Sequence, residues 1–191
     1  ERRTVRYMGG NGGDLESSGV NGNRGSAYGA LERVVWEAQS CPPAVIAFLR
    51  RQIEAEPLTS VRMQMLGLVN SIAKHDEDEG LALLEQLARR DLLALNSRDG
   101  VHVLRWAVYN HPERMRQIID ALRTAPTEGL RALGLFLFSG MALHTDAADA
   151  EFRALWDADL LARRVAAYRA PGNLLSADEV ARRAVAWDKT L

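Results

Sequence analysis

From Ser26 onward the apolar residues recur every three or four positions with little interruption, and alanine and leucine dominate. That spacing gathers them on one side of an α-helix. It predicts helices near 26–40, 43–56, 58–75, 77–94, 98–110, 113–124, 127–143, 147–157, 158–169 and 177–189. Leu31, Val34, Val35 and Ala38 make one apolar stripe, and Leu83, Leu84, Leu87 and Ala88 make another. Pro42/Pro43 and Pro57 bracket one predicted helix, and Pro112 and Pro126 bracket a later one. Proline is accepted in the first helical turn and refused in the interior, so these brackets mark helix limits. The segment 129–143, GLRALGLFLFSGMAL, is apolar on nearly every side and predicts a helix covered by its neighbours.

The brackets also repeat. Trp36-x5-Pro42 returns as Trp106-x5-Pro112 at an offset of 70, and Pro57 returns as Pro126 at 69. At the 70-residue offset Val45, Phe48 and Leu49 fall on Met115, Ile118 and Ile119. Half a step from these, Asp76 to Gly80 introduce a helix with Leu83 and Leu84, and Asp146 introduces one with Phe152 and Leu155. A period of roughly 34 to 35 residues with two helices per unit predicts an all-α fold, an α-solenoid of about four helical hairpins and a C-terminal cap. A helix bundle with coincidental spacing is the competing all-α architecture. Eight of the fifteen glycines lie between Gly9 and Gly29, so residues 1–25 read as a Gly-rich linker or N-terminal extension and 26–191 as the repeat domain. The chain starts at Glu1 without a methionine, which leads us to expect a piece of a longer protein.

Charge and cysteine use narrow the functional classes. The 191 residues carry 24 basic and 25 acidic side chains, a net charge of -1, which removes the bulk electrostatic argument for a nucleic-acid coat or a membrane-surface binder. A single cysteine, Cys41, excludes an internal disulfide framework and suits a reducing cytoplasm. The most apolar stretch, Leu130 to Leu143, contains Arg131 and falls short of the roughly 20 residues of a membrane span. No signal peptide is visible.

Candidate chemistry is sparse. The run GGNGGDLESSG lacks Gly-Lys-Ser/Thr and the Gly-x-Gly-x-x-Gly spacing, so it is read as linker and not as a phosphate cradle. His75-Asp76-Glu77-Asp78-Glu79 offers oxygens to a cation, but acids just before a helix are more simply an N-cap and a complement to the helix dipole. His75, His111 and His144 lie 36 and 33 residues apart, with Cys41 at the corresponding turn. Packed helices stand about 8–10 Å apart, which is too far for such a set to converge on zinc. There is no Gly-x-Ser-x-Gly elbow, Cys41 precedes Pro42-Pro43, and carboxylate pairs such as Asp157 and Asp159 have a solvated role in most helical proteins. No catalytic, cofactor-binding or metal-ligating residue is assigned, no cofactor is expected, and the expectation is a protein that is not an enzyme. Arginine is used 22 times against two lysines, Lys74 and Lys189. The pairs Arg50-Arg51, Arg89-Arg90, Arg163-Arg164 and Arg182-Arg183 are interleaved with acids and read as salt-bridged helix faces. Trp36, Trp106, Trp156 and Trp187 read as hairpin-packing residues, and any exposed one becomes a contact anchor.

Three segments carry a family resemblance: VNGNRGSAYGALERVVW from Val20, DLLALNSRDGVHVLRWAVYNHPERMRQIIDALRTA from Asp91, and DLLARRVAAYRAPGNL from Asp159. The chain is thereby similar to HEAT-like α-helical repeats, and the three segments together resemble the C-terminal repeat region of large bacterial STAND or NACHT-like NTPases, many of them of the antiphage type. The resemblance implies a sensor or scaffold that binds a protein, a peptide or other domains of its own parent chain. It also implies that Asn21, Arg24 and Gly25 form an entry turn and Arg163 part of a cap, with structural roles in joining helices. The glycine-rich stretch before Val20 departs from a compact entry segment. A second resemblance, to HEAT-like DNA glycosylases that line a concave array with arginines, implies a DNA-binding alternative. The near-zero net charge weighs against it.

Overall fold

The computed structural model describes residues 22–38, 40–142 and 146–163, and among them every regular element is helical. The order is α1 (Asn23–Glu37), α2 (Pro43–Ala55), α3 (Thr59–His75), α4 (Glu77–Arg90), a 3-10 turn (Leu92–Leu95), α5 (Arg98–Asn110), α6 (Pro112–Arg123), α7 (Glu128–Ala142) and α8 (Asp146–Ala158). The all-α expectation holds. The predicted helix 177–189 and residues 164–169 of the predicted helix 158–169 lie outside the described residues.

Local chemistry places the helix limits. Pro43 and Pro112 occupy first-turn positions of α2 and α6, where a missing N–H costs nothing. The Asp76 carboxylate accepts from the Glu79 N–H at 3.1 Å, so the acidic run is a capped helix start. Arg89 and Arg90 close the same helix at its negative end. Two boundaries differ from the pattern reading. α1 begins at Asn23, inside the segment read as linker. The predicted helix 77–94 breaks at Asp91, whose backbone leaves helical geometry at φ -157 and ψ 89, and Leu92–Leu95 wind as a 3-10 turn. Asp91 is drawn out because its carboxylate serves Arg62 and Thr59 of α3, at 3.0 and 2.7 Å.

The chain divides into two compact units between Ala107 and Val108. In the first, α3 is the core element: Met63, Met65, Leu66, Leu68, Val69 and Ile72 are all buried, and the helix packs on α1, α2, α4 and the 3-10 turn. In the second, α7 packs on α6 and α8, and Leu133, Leu137 and Phe138 are buried along it. The close approach of α6 to α7 requires Gly134, because a Cβ there would stand 2.5 Å from the Arg123 backbone nitrogen.

The two halves share one register. α2, α3 and α4 begin at Pro43, Thr59 and Glu77, and α6, α7 and α8 begin at Pro112, Glu128 and Asp146, each 69 residues later. This corrects the 70-residue alignment of Pro42 with Pro112 for the second helix of each half. The first helical proline is Pro43, and the buried residues Leu49 and Ile53 correspond to Ile118 and Leu122. Six residues separate Trp36 from Pro43 and five separate Trp106 from Pro112; α5 runs four residues past its tryptophan and leaves only His111 as connection, whereas α1 runs one residue past Trp36 and leaves five.

Candidate functional site

The reactive side chains singled out in the sequence do not converge. Among the described residues no three His, Cys, Asp or Glu side chains are grouped as a metal site. His75 Nε2 donates to the Val35 carbonyl at 2.8 Å, and His111 is the N-cap residue of α6; His144 lies outside the described residues. Burial, with the nearby Asp76 carboxylate adding to it, pushes the Cys41 thiol up from its ordinary value, which is the opposite of an activated nucleophile. Asp159 accepts from the Leu161 N–H at 2.8 Å, a local turn role; the Asp157 side chain is outside the described set.

Arg24 does what a helix-joining residue does. Its Nη1 reaches both oxygens of Glu56 at 3.1 and 2.9 Å, and Glu56 also accepts from the Leu58 N–H at 3.0 Å. The start of α1 is thereby tied to the α2–α3 connection. Gly25 is buried within α1, Arg163 is exposed, and Asn21 lies outside the described residues.

The feature that pattern reading missed is at the end of α1. Trp36 is 48% exposed and Val34 66% exposed, although the stripe rule placed Val34 on the inner face and the repeat placed Trp36 in a hairpin interior. α1 buries only Gly25, Tyr28 and Val35, so its inner face is narrower than four apolar positions require. Trp36 is nonetheless fixed. Lys74 of α3 stands 4.4 Å from the indole centroid and donates to the Trp36 carbonyl at 2.8 Å. With His75 on the Val35 carbonyl, two consecutive residues of α3 cap carbonyls that the end of α1 leaves without intrahelical partners. An exposed indole whose backbone and ring face are both held loses little conformational entropy when a partner covers it. Trp106 is half-buried; the Trp156 side chain and Trp187 lie outside the described residues.

The arginines are largely committed to carboxylates. Arg50 pairs with Glu79, and Arg116 and Arg123 share Glu151, with Arg123 at 2.7 Å. The Arg123 guanidinium also lies 4.0 Å from the Phe138 ring centroid, so this cluster clamps α6, α7 and α8. Burial works to raise the Glu151 carboxyl, but the hydrogen bonds from Arg123 and Arg116 outweigh it and hold the carboxyl below its usual range. No helix among the described residues is long and apolar enough to cross a membrane. Compared with family models, curated proteins and solved structures, the chain matches none of them.

Proposed function

We propose that this chain is a non-catalytic helical-repeat module of HEAT-like architecture that recognises a protein or peptide, working as the sensor or scaffold portion of a larger bacterial NTPase or regulatory protein. The 69-residue recurrence of helix starts supports the repeat architecture, since stacked hairpins bury each other's apolar sides and leave a broad preformed surface. The observation that carries recognition is Trp36, exposed beside Val34 and immobilised by Lys74. Aromatic anchors of this kind supply a disproportionate share of interface energy. The DNA-binding reading is less favoured because Arg50, Arg62, Arg116 and Arg123 are spent on carboxylates within the fold.

Paired affinity capture tests the reading, with the wild-type chain and Trp36→Ala as baits. A cognate protein held by the wild type is expected to lose about 2 kcal/mol or more of affinity on the variant, a drop of roughly 30-fold. Equal retention by both baits, or ATP turnover by the purified chain, overturns the proposal. Duplex DNA binding that falls steeply and linearly in log K with log salt concentration would move the assignment to the nucleic-acid reading.

A further inference from the structure

Charge is arranged differently on two surfaces of the first unit. A groove of about 410 Å³ between α2 and α4 pairs its own charges, with Arg50 on Glu79 and with Arg90 and Gln86 on Glu54, so it favours neither sign of ligand. The seam between α1 and α3 is not balanced in this way. Glu32 meets Gly67 and Trp36 meets Lys74, so the two helices run side by side in the same direction. Glu32 and Trp36 are four residues apart and share a face of α1, with roughly 6 Å between them along the axis.

The Glu32 carboxylate lies in the notch that Gly67 leaves in α3, where a larger side chain would occupy the same space. It is half-buried, and its charge is opposed first by that burial and then by the Asp99 carboxylate of α5. Neither Glu32 nor Asp99 has an ion pair or a hydrogen bond among the described residues, and nor does Glu37, exposed beside Trp36. The nearby cations leave them so. Lys74 is held on the indole ring and the Trp36 carbonyl, and Arg33 points to solvent without pairing with Glu32. Asp76, Glu77 and Asp78 directly follow Lys74 and His75, so acids outnumber bases at this end of α1 and α3.

Resting on the recognition reading above, we propose that the α1–α3 seam receives a partner segment in which a lysine or arginine lies beside an apolar side chain, the apolar group covering Trp36 and the cation pairing with Glu32 and Asp99. Charge complementarity selects this occupant. An acidic segment adds a further negative charge to two carboxylates that already repel, and a purely apolar one buries Glu32 more deeply without a counter-charge. A cation relieves the repulsion and the desolvation together. The same acids repel phosphate groups, which sets this surface apart from a nucleic-acid site. Each pair is partly exposed and individually weak, so the carboxylates act as a selectivity element beside the Trp36 anchor and their contribution falls with salt.

The test is fluorescence anisotropy of a labelled hexapeptide of alternating leucine and arginine, titrated with the full chain at low salt and mildly alkaline pH, with backbone amide NMR to locate it. The expected result is saturable binding that shifts the amides of Glu32, Trp36, Gly67 and Asp99. Glu32→Gln/Asp99→Asn should weaken it roughly fivefold or more, and Trp36→Ala at least as much. Glu113→Gln/Glu128→Gln, which removes the same charge from exposed positions of the second unit, should leave it within about twofold. Far-UV circular dichroism checks that each variant is folded, and Glu32→Gln alone replaces the first pair if Asp99→Asn disturbs the spectrum. The absence of saturable binding, equal weakening by the control pair, equal or tighter binding of a leucine–glutamate hexapeptide, or amide shifts confined to other surfaces overturns the proposal. If a protein partner is lost with Trp36→Ala but held unchanged by Glu32→Gln/Asp99→Asn, the basic preference falls alone. If Trp36→Ala alters binding of neither protein nor peptide, the recognition reading falls with it.

Discussion

Asp91→Ala should be among the most damaging single changes in the first unit. The Arg62 side chain is 6% exposed and that of Asp91 11% exposed, so both charges are held out of water. Arg62 Nη1 donates to Asp91 Oδ2 at 3.0 Å, while Nε and Nη2 are buried without a hydrogen-bond partner. Among the described residues Asp91 is thus the single carboxylate paired with this cation, and its removal leaves a desolvated guanidinium unpaired. Breaking a buried pair in this way costs about 3–5 kcal/mol, a large fraction of the roughly 5–15 kcal/mol that holds an ordinary domain together. Removing Thr59, whose hydroxyl donates to the same oxygen at 2.7 Å, should cost only about 1 kcal/mol, because the ion pair survives. Replacing both charges, as Arg62→Met with Asp91→Leu, should recover most of the loss, since apolar groups of similar size carry no desolvation debt. The assay is urea denaturation of the full chain followed by far-UV circular dichroism, with the wild type, Arg62→Met, Asp91→Leu and their combination closed into a double-mutant cycle. A loss below about 1 kcal/mol for Asp91→Ala, or no recovery in the double variant, would refute the claim that this carboxylate neutralises a buried cation.

Four further outcomes follow from the surroundings of single residues elsewhere. Gly134→Ala should destabilise by about 1–3 kcal/mol, because the added methyl meets the Arg123 backbone at 2.5 Å. Gly29→Ala, in α1 with nothing within 4 Å, should instead be neutral or stabilising by up to about 1 kcal/mol; equal thermal-melt shifts would contradict both. The Glu32 carboxyl lodges against Gly67 of α3, and burial, with Asp99 of α5 adding and Arg33 of α1 opposing, raises it above its ordinary value. A raised acid favours the fold below its unfolded pKa and loses that contribution as pH rises through the folded one. Glu32→Gln should therefore raise the melting temperature at neutral pH, with the gain shrinking as pH falls into the carboxylate range; no gain at neutral pH refutes it. Glu151 runs the other way. Its lowered carboxyl contributes above the unfolded pKa and loses that contribution as pH falls, so Glu151→Gln should cost about 1 kcal/mol or less at neutral pH and nothing in acid; an equal cost at both refutes the pairing.

Helix positions were readable along the chain because their causes are local. A proline in a first helical turn, an Asp76 side chain on its own helix and an apolar run over 128–142 act within a few residues, whatever the rest of the molecule does. The repeat was readable for the same reason, though one residue out of register, since tryptophan and proline mark a connection whose length differs between the halves.

Contacts between distant residues decided the remainder. α3 carries Arg62, Gln64, Asn70 and Ser71 and gives a weaker pattern than α7, yet it is the central helix of its unit. Its buried Arg62 is tolerated because Asp91, 29 positions away, leaves its own helix to meet it. Trp36 is exposed because α1 meets its neighbour along Gly25, Tyr28 and Val35, a face that periodicity alone draws too wide. The groove between α2 and α4, and the Glu151 clamp between α6 and α8, depend on which helices lie side by side. Spacing along one helix does not encode that neighbour, because its identity is settled by the burial of apolar surface across the whole unit.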